Sequence, residues 1–272
     1  MPEKILQNLN GVSETLLMTL YARARESQRP DAMLKDDKAV AMVNQIECDF
    51  SRLKMQRHDE IAVIMRMRKF DNHVRDFLTR NPNAVVVHIG CGLDTRFERV
   101  DNGRVQWFDL DLPDVIELRR KLISDENSRH HMLASSVFDD GWLAEVNRYK
   151  PRPFMFIAEG VFPYFEESQV KALLLKLREK FSGSELVCDA HTPFGIWANN
   201  LQLAYFKINA RLHWGLKRAR DVENWGDGIS LLEEWFYFED TELRMHPYRW
   251  MRHFPFLGRS TGIFRYRLGV TP

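Results

Sequence analysis

Two glycines and two aspartates carry the first chemical signal in this chain. Gly90 and Gly92, in VVVHIGCGLDTRFERV, follow an apolar run; Asp109 and Asp111, in WFDLDLPDV, close a second run about twenty residues after them. Glycines let a backbone turn sharply after a strand and approach a ligand that a Cβ would exclude. A carboxylate after the next strand can accept both hydroxyl protons of a ribose lying over the sheet edge. The combination reads as an adenosine site. Position 95, where a dinucleotide fingerprint has its third glycine, is threonine, which leaves an NAD-dependent oxidoreductase as the weaker reading. One of the two aspartates is also expected to cap the helix that Pro113 begins.

Other polar residues are weighed against plainer roles. His88, inside the first apolar run, is expected to be an uncharged core residue, and Asp94 and Arg96 to pair with each other, with loop backbone or with the cofactor. His191, in DAHTP, is the best single candidate for a general base, in competition with a capping role. His130 and His131 lack ligand partners at useful spacing, and the three cysteines (Cys48, Cys91, Cys188) lie far apart, so no metal is expected.

These residues need an α/β scaffold. Apolar residues recur at helical spacing from Val12 to Glu26 and again from Val63 to Leu78, where Asn81-Pro82 breaks the helix. Strands are expected at Ala84–Ile89, Val105–Phe108, Arg129–Ala134, PFMFIAEG and SELVCDAH, with helices at Pro113–Leu122 and Glu167–Phe181 between them, which implies a parallel sheet. Residues 194 to 222 read as mainly helical, and ISLLEEWFYF and TGIFRYRLG as late antiparallel strands. Thirty-nine basic residues against thirty-eight acidic ones leave a formal charge of +1 on 272 residues. Overall charge thus supports neither nucleic acid nor a membrane as partner. No apolar stretch is long enough to span a bilayer, and the expected location is cytoplasmic.

In order and separation, GCGLDTRFERV, WFDLDLPDVIELRR and FIAEGVFPYF resemble the leucine carboxyl methyltransferase family, in particular its bacterial branch of polyketide-type O-methyltransferases, over residues 12 to 270. The resemblance implies a class I S-adenosylmethionine-dependent methyltransferase fold: a Rossmann-like seven-stranded sheet with a helical N-terminal cap. It implies a single domain, with residues 1–80 as cap, 81–193 as nucleotide-binding core and 194–272 as substrate-covering helices and final strands. It also implies S-adenosyl-L-methionine as cofactor. Arg66 matches the family arginine that meets the methionine carboxylate, Gly90 and Gly92 the turn beneath the cofactor, and Asp111 the ribose acid, with Asp109 behind it. Ser136 and Val137 match the adenine contacts and Glu159 a glutamate under the cofactor; Tyr164, just beyond, is placed to line the reaction cavity.

A carboxylate acceptor is ionised at neutral pH and needs no base, whereas an alcohol or phenol does. The expected reaction is therefore O-methylation of a carboxylate, or secondarily a hydroxyl, on a small metabolite. Trp197, Tyr205, Phe206 and Trp214, with Arg211, Lys217, Arg218 and Arg220, are expected to cover a flat aromatic acid or else to form an ordinary amphipathic surface. A protein C-terminal carboxylate as acceptor, or a non-catalytic cofactor-binding protein, are the alternatives.

Overall fold

The computed structural model describes residues 5–6, 12–53, 55–123, 126–205 and 208–270. Five short runs, β1 (Val85–Ile89), β2 (Gln106–Asp111), β3 (His130–Ala134), β4 (Phe154–Ala158) and β5 (Ser184–His191), pair in parallel. Every residue of β1 and β4 is buried, as expected for parallel strands covered on both faces. Two further strands, β6 (Ile229–Phe236) and β7 (Thr261–Leu268), join antiparallel, and the sheet order is β3-β2-β1-β4-β5-β7-β6. The helices are α1 (Val12–Ser27), α2 (Asp37–Gln45), α3 (Arg57–Arg80), α4 (Arg96–Val100), α5 (Pro113–Leu122), α6 (Gly141–Asn147), α7 (Glu167–Lys180), α8 (Pro193–Tyr205) and α9 (Pro255–Gly258).

Alternation along β1 sorts the two layers. Val86 packs with Phe70, Val74 and Phe77 of α3 and Phe97 of α4; Val85 and Val87 face Trp142 of α6 and Leu173, Leu174 and Leu177 of α7. Full burial of each such side chain contributes about 1.5–3 kcal/mol. Helix α3 thus serves twice, its C-terminal half in the sheet layer and its N-terminal half over the strand ends. Helices α1 and α2 pack Leu20, Ala24 and Met42 on Leu93 and on Leu118 of α5.

Two expectations change. Helix α8 ends at Tyr205, and a 3-10 turn at Ala219–Trp225 replaces the rest of the expected helix. The Asn200 side chain accepts from Leu212 N (2.8 Å) and donates to Leu212 O (3.0 Å), which folds the chain back instead of continuing it. Neither aspartate caps α5, whose N-cap position is Leu112. Asp111 turns its Oδ1 to Leu112 N (2.8 Å) and its Oδ2 to Gly92 N (2.7 Å).

Candidate active site

Strand β1 sits where the order reverses, between β2 on one side and β4 on the other, and a crevice opens at the carboxyl ends of strands so arranged. A cavity of about 900 Å³ lies there, roofed by α1, α3 and α8. Gly90, Gly92, Asp111, Ser136, Val137 and Glu159 all line it, as do Arg66, Tyr164 and His191.

The glycine turn is built by its backbone. Gly90 and Gly92 have φ of +64° and +52°, a region costly for any residue with a Cβ. Gly90 N donates to Leu110 O at 2.8 Å, fixing the turn against β2, and a Cβ on Gly90 would fall 2.3 Å from Val161 Cγ2. Gly90→Ala should therefore lose about 1–3 kcal/mol from φ strain alone. Val161→Ala in the same chain should return only the steric part, so urea denaturation of the single and double variants separates the two causes.

Asp111 faces the cavity beside this turn. Burial raises its carboxyl above the usual range, while the Gly92 and Leu112 N–H groups pull it back. It has no ion-pair partner among the described residues, which leaves lone pairs for ligand hydroxyls. Asp109, two residues earlier on the same strand face, is not brought to the cavity. Its carboxylate is consumed by Arg119 Nη2 (2.5 Å), His130 Nε2 (2.7 Å) and Trp107 Nε1 (2.8 Å). Burial alone would raise it, but Arg119 and His130 outweigh that and hold it well below the carboxylate range. The second ribose candidate is thus a core anchor for α5. His88, 3.5 Å from Asp109 Oδ1 through Nδ1 and 3.3 Å from Arg96 through Nε2, is the buried residue expected, though it also reaches the cavity wall.

At the other end, Arg66 Nε bonds Glu159 Oε1 (2.8 Å) and Nη1 bonds Asp189 Oδ2 (3.2 Å), while Asp189 Oδ1 accepts from Gly160 N (2.7 Å). Asp189 was not anticipated. Its signal was present, since an acid inside the apolar run SELVCDAH is rarely buried without a task. Arg96 is fully buried and reaches Glu159 Oε2 (2.5 Å), Asp71 Oδ1 (2.7 Å) and Asp94 Oδ2 (3.1 Å). Arg99 meets Asp71 (2.8 Å) and Asp94 (3.0 Å), and Thr95 Oγ1 donates to Asp36 (2.7 Å), itself paired with Arg23 of α1 (2.5 Å). An alternating chain of charge therefore runs from the N-terminal helices through Asp94-Thr95-Arg96 to Glu159. Burial would raise the Asp94 carboxyl, yet Arg96 and Arg99 dominate and keep it ionised.

Another part of the cavity wall is apolar. Met18, Met55, Leu203, Phe238, Met245 and Met251 line it. Tyr164 OH lies 3.5 Å from Thr15 Oγ1, and burial raises its pKa, making the phenol a weaker acid. His191 sits opposite Thr261 in the β5–β7 register, with Nδ1 2.8 Å from Thr261 Oγ1. Burial, with Arg66 adding to it, lowers its pKa from 6.5 to about 4. The unfolded chain takes up a proton near pH 6.5 that the folded protein refuses. Stability tied to His191 is thus complete above pH 6.5 and lost as the pH falls toward 4. Urea denaturation at pH 7 and pH 5 should show a smaller loss for His191→Gln than for wild type; equal losses would contradict the assignment.

The expected acceptor cover divides differently. Trp214 is buried and packs on Phe162 and Trp225, whereas Trp197 and Tyr205 point outward at 58% and 75% exposure. Arg211, Lys217, Arg218 and Arg220 are exposed, and Phe206 lies outside the described residues.

The cavity fits an adenosyl sulfonium. It has a carboxylate without an ion-pair partner among the described residues beside the glycine turn, and Arg66, braced by Glu159 and Asp189, at the far end. Solved structures agree on the fold. A Thermobifida fusca protein described as a candidate methyltransferase aligns over 92% of this chain and 94% of its own, with TM-score 0.58 and 16% identity. Magnesium protoporphyrin IX methyltransferase from Synechocystis, solved with S-adenosylhomocysteine bound, covers 85% of this chain and 99% of its own, with TM-score 0.50 and 10% identity. The tetracenomycin polyketide synthesis O-methyltransferase TcmP of Streptomyces glaucescens is 35% identical over 228 residues, 84% of this chain and 83% of that one. A second relative, the S-adenosyl-L-methionine-dependent methyltransferase dpfgK of Gibberella zeae, is 30% identical over 90% of this chain and 89% of its own. The protein is an S-adenosylmethionine-dependent methyltransferase of the class I fold. The leucine carboxyl methyltransferase model matches residues 16–178, and the chain belongs to that family.

Proposed function

We propose that the protein methylates an oxygen, a carboxylate in the first place, on a small and largely apolar metabolite. The observation that carries the carboxylate reading is the state of His191. This imidazole is the candidate base on the cavity wall, and burial leaves it too weakly basic, at about 4, to draw a proton from an alcohol or phenol efficiently. A carboxylate arrives already ionised. The methionine- and aromatic-lined part of the wall supports an apolar acceptor body, and likeness to a tetracenomycin polyketide synthesis O-methyltransferase supports a polyketide-like one.

Bound S-adenosylmethionine would supply an activated methyl together with its own leaving group, so the chain's part is positioning and exclusion of water. Asp111 would take the ribose hydroxyls, and Ser136 and Val137 would border the adenine. Arg66, held rigid by Glu159 and Asp189, would offer its remaining N–H to the methionine carboxylate, and Tyr164 would border the transfer path. Gly90 and Gly92 would let the backbone lie close beneath.

The test uses methyl-labelled donor and a screen of aromatic carboxylic acids and phenols. A methyl ester releases labelled methanol in mild base, and a methyl ether does not. Base-labile label is expected; base-stable label would reassign the acceptor to a hydroxyl.

A further inference from the structure

Outside the cavity, five aromatic side chains form one exposed run. Trp197 lies 5.7 Å from Phe194, Phe194 5.7 Å from Phe256, Phe256 6.3 Å from Phe254, and Phe254 6.0 Å from Trp250, measured between ring centroids. Their exposures are 58, 38, 59, 48 and 54% along that path. Leu201 and Tyr205, one and two turns beyond Trp197 on α8, extend it. A connected aromatic surface of this kind marks a contact face, whereas scattered single residues do not.

The composition around it selects the partner. Residues 193–220 and 243–260, which supply the whole run, contain nine lysines and arginines and no aspartate or glutamate. Arg252 and His253, exposed immediately before Phe254, make no ion pair among the described residues. Arg218, Arg220, Arg244 and Arg259 pair with carboxylates outside these segments, whereas Arg211 and Lys217, both exposed, make no ion pair among the described residues. Tryptophan and phenylalanine on segments with unpaired cations match an anionic lipid surface, where rings enter the headgroup layer and cations meet phosphates. Among the described residues no helix is long and apolar enough to cross a membrane, so the contact would be peripheral.

The position of the patch gives it a use. The same two segments turn their other faces to the cavity, through Leu203 of α8 and through Met245, Tyr248 and Met251. We propose that the Trp197–Trp250 aromatic run docks the enzyme on an anionic lipid surface, with the apolar part of its cavity wall next to that surface. This placement does not depend on which oxygen is methylated.

The experiment is co-sedimentation of the full chain with vesicles of phosphatidylcholine alone or mixed with phosphatidylglycerol, at low and high salt, beside Trp197→Ser/Phe256→Ser and Arg252→Glu. None of these three residues lines the cavity, and retained S-adenosylmethionine binding reports that each variant is folded. Wild type should bind the anionic vesicles and lose much of that binding in high salt. Arg252→Glu should bind about tenfold more weakly, and the double aromatic variant should stay in the supernatant. No sedimentation of wild type with anionic vesicles overturns the proposal, as does equal binding to both vesicle types. A concentration-dependent dimer that disappears in the aromatic variant, without vesicle binding, would assign the face to a second copy and overturn it equally.

Discussion

Asp111→Ala should bind S-adenosylmethionine about a hundredfold or more weakly while remaining folded. Two hydroxyl donors to a charged acceptor are worth roughly 1.5 to 3 kcal/mol each, and no other described side chain is placed to replace them. The substitution also releases Gly92 N and Leu112 N, a modest loss because both lie at the cavity surface within reach of water. Asp109→Ala is the natural contrast. It strips the counter-charge from Arg119, both groups being 1% exposed, so its cost should fall on stability. Calorimetric titration of both variants, beside their urea midpoints, should give opposite patterns. Unchanged cofactor affinity in Asp111→Ala would remove Asp111 from the site.

Arg96→Met should cost about 3–5 kcal/mol of folding stability, the scale for removing one partner of a buried ion pair. Asp71, Asp94 and Glu159 all converge on this guanidinium, which has no exposed surface. Arg99 still serves Asp71 and Asp94 in the variant, but Glu159 keeps only Arg66. Urea denaturation reads the loss directly. Arg96→Lys, which retains charge without the planar fork, should recover part of it. A midpoint for Arg96→Met equal to wild type would mean that the three carboxylates find other compensation.

How far these residues were legible in the sequence follows from what kind of signal each carries. The parallel strands and their helices were readable because buried β-branched runs alternate with amphipathic stretches, and Gly90 and Asp111 were readable because they end consecutive strands. Asp109 and Asp111 could not be separated by spacing, since i and i+2 point to one face. What separates them is Arg119, near the end of α5, which the fold brings against Asp109. Arg66, Ser136, Val137 and Glu159 came from family resemblance, and the structure gathers all four around one cavity. The Asp94–Arg96 pair was anticipated and is present at 3.1 Å, but its partners Asp71 and Glu159 escaped because long-range ion pairing leaves no periodic trace, and Asp189 was legible only as an acid inside an apolar run. The end of α8 escaped for a related reason: a single asparagine, Asn200, holds both backbone polar groups of Leu212. The aromatic run was hidden because it joins Phe194 and Trp197 to Trp250, Phe254 and Phe256, which only the fold brings together.

Strand β7 occupies an interior slot between β5 and β6, though both neighbours precede it in the chain. During synthesis β5 and β6 are therefore complete while each still offers an open row of backbone donors and acceptors to any passing strand. Thr261, the partner that orients His191, is also the first residue of this late arrival. The nascent protein carries its adenosine-side residues well before its acceptor-side wall, and the interval between them is when a chaperone has most to protect.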